Sequence, residues 1–194
     1  MDMKDAKVKG SVLLDYVRFI RATKDKNWDK YLKKEDWDLL KSRILPAVWY
    51  PYEHFFRLGE AVFKEIAGEN LEVARQFGRL NAETLFKGTY KGIMESVVSS
   101  GAGIMRFLER YAAMTPGLFN FSKISVEKVN ERHAKLHITG ELKPEEMLSD
   151  AYFAQLSGTV ERVVELCGGK NPKVALTAKE WEGAPDTELD IGWE

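Results

Sequence analysis

The stretch SDAYFAQLSGTVERVVELCGG, residues 149–169, decides how the rest of the chain is read. Ser149 is a good N-cap, because its hydroxyl can accept a backbone N–H of the first turn. Phe153, Leu156, Val160, Val163, Val164 and Cys167 then recur at helical spacing as one apolar stripe. Gly168-Gly169 stops the helix. On both sides the period changes to two. Ala134, Leu136 and Ile138 alternate with Lys135, His137 and Thr139, the pattern of a half-buried strand. Phe119 to Val129 reads as its hairpin partner, with the turn at Asn130-Glu131. Beyond the helix, Val174, Leu176 and Ala178 share one face of a strand, and Leu189, Ile191 and Trp193 share one face of the next. The C-terminal order is therefore β-β-α-β-β.

Upstream the pattern is helical. Ser11 suits an N-cap before Val12, Leu13, Tyr16, Val17 and Ile20. Pro51 suits the first turn of a helix with Phe55, Leu58, Gly59, Val62, Phe63 and Ile66 on one stripe, and Gly68 stands where a C-terminal cap is expected. Further helices are predicted over Leu71 to Leu80, Ala82 to Val97 and Ala102 to Ala113. Pro116 and Gly117 end this half. Residues 24–38 hold five Lys and five Asp or Glu, interleaved with Trp28, Tyr31, Leu32 and Trp37. Balanced signs predict a solvated face with aromatic anchors turned inward. The fold class is α+β: a helical bundle packed on an antiparallel sheet. Residues 1–9 form a flexible tail, and 10–194 a single domain with a helical part over 10–115 and a sheet part over 118–194.

Composition narrows the function classes. The 194 residues are 44% hydrophobic and 30% charged, with a formal net charge of −1, which are ordinary globular values. A nucleic-acid binder usually carries a clustered basic excess, so no nucleic-acid partner is expected. Cys167, the one cysteine, leaves no internal disulfide and no cysteine-built zinc site. No stretch approaches the ~20 apolar residues of a membrane span. The charged N-terminus lacks a signal core, so a cytoplasmic location is expected.

No residue set announces catalysis. His133 and His137 point to the same face of one strand, ~13 Å apart at strand rise, and cannot share a metal. His54 borders an apolar helix stripe, where it could ligate haem iron or, more ordinarily, hold a hydrogen bond. Ser99-Ser100-Gly101-Ala102-Gly103 precedes a helix, a setting that can hold an anion, but no P-loop pattern accompanies it. No G-x-S-x-G elbow is present. Cys167 lies on a buried stripe at a helix C-terminus, which disfavours a thiolate and marks it as core. Gly59, Gly78, Gly88, Gly92 and Gly158 sit inside helices at a cost of ~1 kcal/mol each, which close backbone packing would offset.

A helical half followed by β-β-α-β-β carries a resemblance, together with Tyr152 to Gly158, Val163 to Lys170, Val174 to Thr177 and Asp190-Ile191-Gly192-Trp193. These resemble a bacterial family of uncharacterised domains, itself similar to the 4-vinyl reductase domain, the haem nitric-oxide/oxygen-binding (H-NOX) domain and the Bet3-type subunits of the TRAPP complex. The resemblance implies a helical bundle on a sheet with a cavity at their junction. The haem-binding members carry a proximal histidine on the helix before the sheet and a Tyr-x-Ser-x-Arg strand motif. Ala102 to Ala113 has no histidine, and the motif is absent. The 4-vinyl reductase type commonly carries a set of C-terminal cysteines, whereas this chain has Cys167 alone. The resemblance thus implies the scaffold without a cofactor.

The leading expectation is a non-catalytic module, a sensor or interaction domain, that binds a small apolar ligand between helices and sheet. Tyr90, Met94, Phe107 and Tyr111 are the candidate lining residues by helix phase. A homodimeric scaffold with a filled core that binds a partner protein is the second reading. A haem-based gas sensor using His54 is the third. No catalytic or metal-ligating residue is expected.

Overall fold

The computed structural model describes residues 3–87, 91–92, 95, 103–140 and 149–194. Six helices are named among them: α1 Gly10–Ala22, α2 Lys34–Lys41, α3 Tyr52–Glu65, α4 Leu71–Lys87, α5 Gly103–Met114 and α6 Ser149–Leu166. A short antiparallel pair, β1 Lys7–Lys9 and β2 Trp49–Pro51, sits beside the bundle. The main sheet contains β3 Ser122–Asn130, β4 His133–Gly140, β5 Lys173–Ala178 and β6 Thr187–Gly192. Its spatial order is β3-β4-β6-β5, antiparallel throughout.

Two apolar cores result. In the C-terminal one, Ala134, Leu136 and Ile138 of β4 and Leu189 and Ile191 of β6 face Phe153, Val160, Val163 and Val164 of α6 and Ile104, Phe107 and Leu108 of α5. The sheet buries the face that its period-two pattern assigns. Each large side chain so buried contributes roughly 1.5–3 kcal/mol. In the N-terminal core, Leu13, Tyr16 and Val17 of α1 pack with Phe55, Leu58 and Val62 of α3, and Trp28, Leu32, Leu39 and Leu40 close one side. Tyr152 of α6 packs against both cores.

Several expectations need correction. The tail read as loose is tied down from residue 6 onward. Ala6 and Val8 have no exposed surface, Lys9 N–H donates to the Leu118 carbonyl at 2.9 Å, and Asn120 N–H donates to the Lys7 carbonyl at 3.2 Å. A three-residue strand is too short to show a period. Helix α1 starts at Gly10 rather than after Ser11, with Lys9 at the cap and no side-chain cap bond. The two helices expected over 71–80 and from 82 are one, α4, because Leu80 lies on its outer face, 58% exposed, and so breaks the stripe without breaking the helix. Trp193 is half-buried just beyond β6, while its expected partners Leu189 and Ile191 are fully buried.

The helical glycines Gly78 and Gly158 mark where α4 crosses α6. A Cβ on Gly78 would stand 1.8 Å from the Gln155 carbonyl oxygen, and one on Gly158 would stand 1.9 Å from that of Arg75. No side chain fits between the backbones. Around this contact Arg75 pairs with Glu161, Arg79 with Glu161 and Glu165, and Arg162 with Glu83. Gly78→Ala or Gly158→Ala must push the helices apart and is expected to lower stability by at least the ~1–3 kcal/mol typical of overpacking. Gly92, also helical, meets nothing within 4 Å among the described residues, so Gly92→Ala is expected to be neutral or stabilising, by up to ~1 kcal/mol. Urea unfolding of the three variants checks this contrast; equal effects at all three sites would refute the close-crossing account.

Candidate functional site

The two cores leave a pocket of about 90 Å³ at their seam. Ser11, Val12, Asp15 and Tyr16 of α1, Phe55 of α3, Asn81 of α4, Tyr111 of α5 and Tyr152, Gln155, Leu156 and Thr159 of α6 line it, with Leu118 and Phe119 from the segment before β3. The helix crossing fixes this geometry. Gly78 and Asn81 are three apart on α4, and Gln155 and Gly158 three apart on α6, so backbone contact at the glycines brings Asn81 and Gln155 to one pocket.

Aromatic and aliphatic groups make most of the wall, and the polar groups are few. Tyr16 Oη donates to Gln155 Oε1 at 2.8 Å. Burial pushes the Tyr16 and Tyr152 hydroxyls well above the ordinary phenol range, so both stay protonated. Thr159 Oγ1 lies 3.1 Å from both the Gly78 and the Gln155 carbonyls and has one proton to share between them. Asp15 pairs with Arg18 at 3.1 Å, yet burial raises its carboxyl above the usual value. Asn81 Oδ1 is buried and has no hydrogen-bond partner among the described residues. A second cavity of about 70 Å³ shares Asp15, Tyr16, Asn81 and Gln155 with the first. Tyr16 and Gln155, joined by their hydrogen bond, line both cavities.

Of the four lining residues expected from helix phase, Tyr111 lines the pocket. Phe107 stacks on Tyr111 with ring centres 6.4 Å apart but lies in the C-terminal core. Tyr90 and Met94 fall outside the described residues, as do Gly88 and the Ser99 to Ala102 run. The residues that sequence reasoning missed come from the polar side of α1 and α4. Ser11, Asp15 and Asn81 fall off the apolar stripes, so their pattern signals solvent.

The histidines serve the framework. His54 Nδ1 lies 2.6 Å from Asp36 Oδ1, and a carboxylate only accepts, so Nδ1 carries the proton. Arg57 grips the same carboxylate at 2.6 and 2.8 Å, and Lys33 N–H donates to it at 2.9 Å. Asp36 is fully buried. Burial alone would raise its carboxyl, but the bonds from His54 and Arg57 outweigh this and hold it down at about 2. This buried carboxylate corrects the reading of residues 24–38 as merely solvated; Trp28 and Leu32 do turn inward as read. On the outer face of the sheet His133 meets Asp190 at 2.8 Å, and His137 bridges Asp186 and Glu127 at 3.0 and 3.1 Å. Among the described residues no group of three His, Cys, Asp or Glu could hold a metal, and no helix is long and apolar enough to cross a membrane. Cys167 is half-buried, and burial pushes its thiol up to about 11.

The chain resembles known proteins in two respects. A family described as a protein of unknown function (DUF2378) matches residues 32–194. Among solved structures, an H-NOX protein from S. oneidensis in the Fe(II)NO ligation state superposes with a TM-score of 0.64 at 12% identity, covering 96% of this chain and 99% of that one. An oxygen-binding H-NOX domain related to soluble guanylate cyclases gives 0.59 at 14% identity, covering 96% and 95%. A structure probing haem distortion in the H-NOX family gives 0.61 at 13% identity, over 96% and 95%. At such identities the likeness is one of fold. No curated protein matches.

The ionisable groups make two of these assignments measurable. The Asp36 carboxyl titrates near 2 when folded and near its ordinary 3.8 when unfolded. Its contribution, about 2 kcal/mol, is complete above pH ~4 and lost as the pH falls towards 2. Asp36→Asn should flatten the pH dependence of urea unfolding in that window and, by leaving Arg57 unpaired, cost ~3–5 kcal/mol at neutral pH. A parent slope retained in the Asp36→Asn variant would remove Asp36 from the account. Cys167 should react slowly with a thiol reagent at pH ~8 while folded and rapidly in urea, since almost no thiolate exists in the folded protein at that pH.

Proposed function

The chain belongs to the family of proteins of unknown function DUF2378, and we propose that it is a non-catalytic sensory module that binds a small, largely apolar molecule at the seam of its two cores. One observation carries the reading. Asn81, which lines a pocket walled mainly by aromatic and aliphatic groups, has its Oδ1 buried without a partner among the described residues. Such an orphan costs roughly 1–3 kcal/mol, and a ligand with one hydrogen-bond donor would offset it. The pocket is smaller than the ~150 Å³ that accepts benzene, so the ligand is compact unless Tyr16 and Gln155 part and join the second cavity to the first. A molecule wedged there touches α1, α3, α4, α5 and α6 at once. If it fits one packing of the two cores better than another, it shifts their population.

The H-NOX-like fold favours a second reading, a haem-based gas sensor, over any narrower form of the first. The described residues do not fit the group. α5, the helix before the sheet, has no histidine, and no histidine lines the seam pocket. His54 is held by Asp36 within the N-terminal half. Where a cofactor needs a cavity of ~300–1,000 Å³, Phe55, Tyr111, Phe119, Tyr152 and Leu156 close in on a far smaller one.

Thermal shift and NMR titration with the alcohols n-propanol to n-hexanol, against hydrocarbons of equal length, test the first reading. A saturable rise in Tm is expected for the alcohols. Asn81→Leu should abolish the preference for a hydroxyl and stabilise the ligand-free protein by roughly 1–3 kcal/mol. No saturable response, with a destabilised Asn81→Leu variant, would overturn the reading. Expression with a haem supplement should give no stoichiometric Soret band, and a band lost in His54→Ala would establish the second reading instead.

A further inference from the structure

A concavity elsewhere on the molecule differs from the seam pocket in both size and composition. The end of α1, the loop of residues 23–27 and the end of α2 border an open groove of about 950 Å³. Its lining holds Ile20, Trp28 and Leu40, all buried, and Trp37, half-buried. Five cations join them, Arg21, Lys24, Lys26, Lys41 and Arg43, with Asp29 as the one carboxylate. Four excess positive charges on one groove stand out in a chain whose net charge is −1.

Part of this charge has a structural task. Arg21 Nε donates to the Leu40 carbonyl at 2.8 Å and Nη2 to that of Ser42 at 2.7 Å, so it closes the C-terminal end of α2. Lys41 sits in the last helical turn, where a cation suits the dipole. Lys24, Lys26 and Arg43 have neither role. They lie on the loop and beyond α2, are exposed, and make no ion pair among the described residues. The aromatic floor is equally specific. Trp28 gives its indole N–H to the Thr23 carbonyl at 2.7 Å, leaving only ring surface to the groove.

We infer that this groove binds a small aromatic phosphate of the nucleotide class, its phosphates among Lys24, Lys26, Lys41 and Arg43 and its base against Trp37. Lysine and guanidinium groups recognise phosphate oxygens through charge-assisted hydrogen bonds. Indole faces stack on bases and attract cations. The volume falls within the ~300–1,000 Å³ of small-molecule sites. A nucleic-acid strand is disfavoured, because it needs a basic track along a face rather than one charged groove on a neutral chain.

Isothermal titration of the full chain with ATP, tripolyphosphate and adenosine tests the inference. ATP should bind saturably and more tightly than either fragment, and the affinity should fall steeply as salt is raised. Lys24→Glu with Lys26→Glu, both exposed, should leave Tm unchanged and weaken ATP about tenfold or more while sparing adenosine. Trp37→Leu should weaken ATP and adenosine alike and spare tripolyphosphate. Asn81→Leu should bind ATP as the parent does, which separates this groove from the seam pocket. Equal affinity for tripolyphosphate and ATP, indifference to the lysine reversals, tighter binding of a single-stranded oligonucleotide, or no binding of ATP at low salt would each overturn the inference.

Discussion

Where α4 crosses α6, two helix backbones touch with nothing between them. Most of the architecture hangs on that contact. α6 carries Phe153, Val160, Val163 and Val164 into the sheet core and Tyr152 and Gln155 into the seam. Among the described side chains α4 gives Ala82 to the C-terminal core and Phe77 to the N-terminal one, and its position decides where Asn81 stands. Two glycines, one on each helix, place every other partner. With larger residues the helices would sit farther apart, and Thr159 could no longer reach the Gly78 carbonyl at 3.1 Å.

Charge then secures what the glycines permit. Arg75 reaches Glu161 on α6 and the Val174 carbonyl on β5 at 2.7 Å, so one guanidinium joins α4, α6 and the edge of the sheet. Arg79 and Arg162 extend the array along the crossing. These pairs are only partly buried, and such pairs add modest stability; their geometry serves mainly to fix register. In the N-terminal half the corresponding fastening is Asp36, which has no solvent to fall back on and so depends wholly on Arg57, His54 and Lys33.

The C-terminal half was legible in the sequence because burial there follows period. β4 and β6 each bury one face, β5 buries Val174, β3 half-buries alternate residues over its first part, and α6 presents an unbroken stripe. Gly78 and Gly158 also spoke clearly, since a glycine inside a helix needs a reason. Three features were hidden, each for a physical cause. β1 and β2 are too short to show alternation. Asp36 is one of ten charged residues over 24–38, and sequence cannot tell a paired, buried carboxylate from a solvated one. The pocket draws Ser11, Asp15 and Asn81 from the polar sides of α1 and α4, and polarity on a helix reads as exposure. The basic groove shows the same limit from the other side. Its lysines and tryptophans were visible over residues 24–43, but a signed balance along the chain says nothing about which charges the fold gathers.

The first strand is held by groups far along the chain. Val8 bridges to Phe119, Lys9 donates to Leu118, and Lys7 receives from Asn120. A ribosome adds ~5–20 residues per second. The segment that covers Ala6 and Val8 therefore leaves the tunnel roughly 5–20 s after them. During that interval α1 and α3 can meet, but the strand beneath them has an open edge. The N-terminal core thus cannot close in order of synthesis, and the nascent chain is most exposed to mispairing or chaperone capture until residue 120 has emerged.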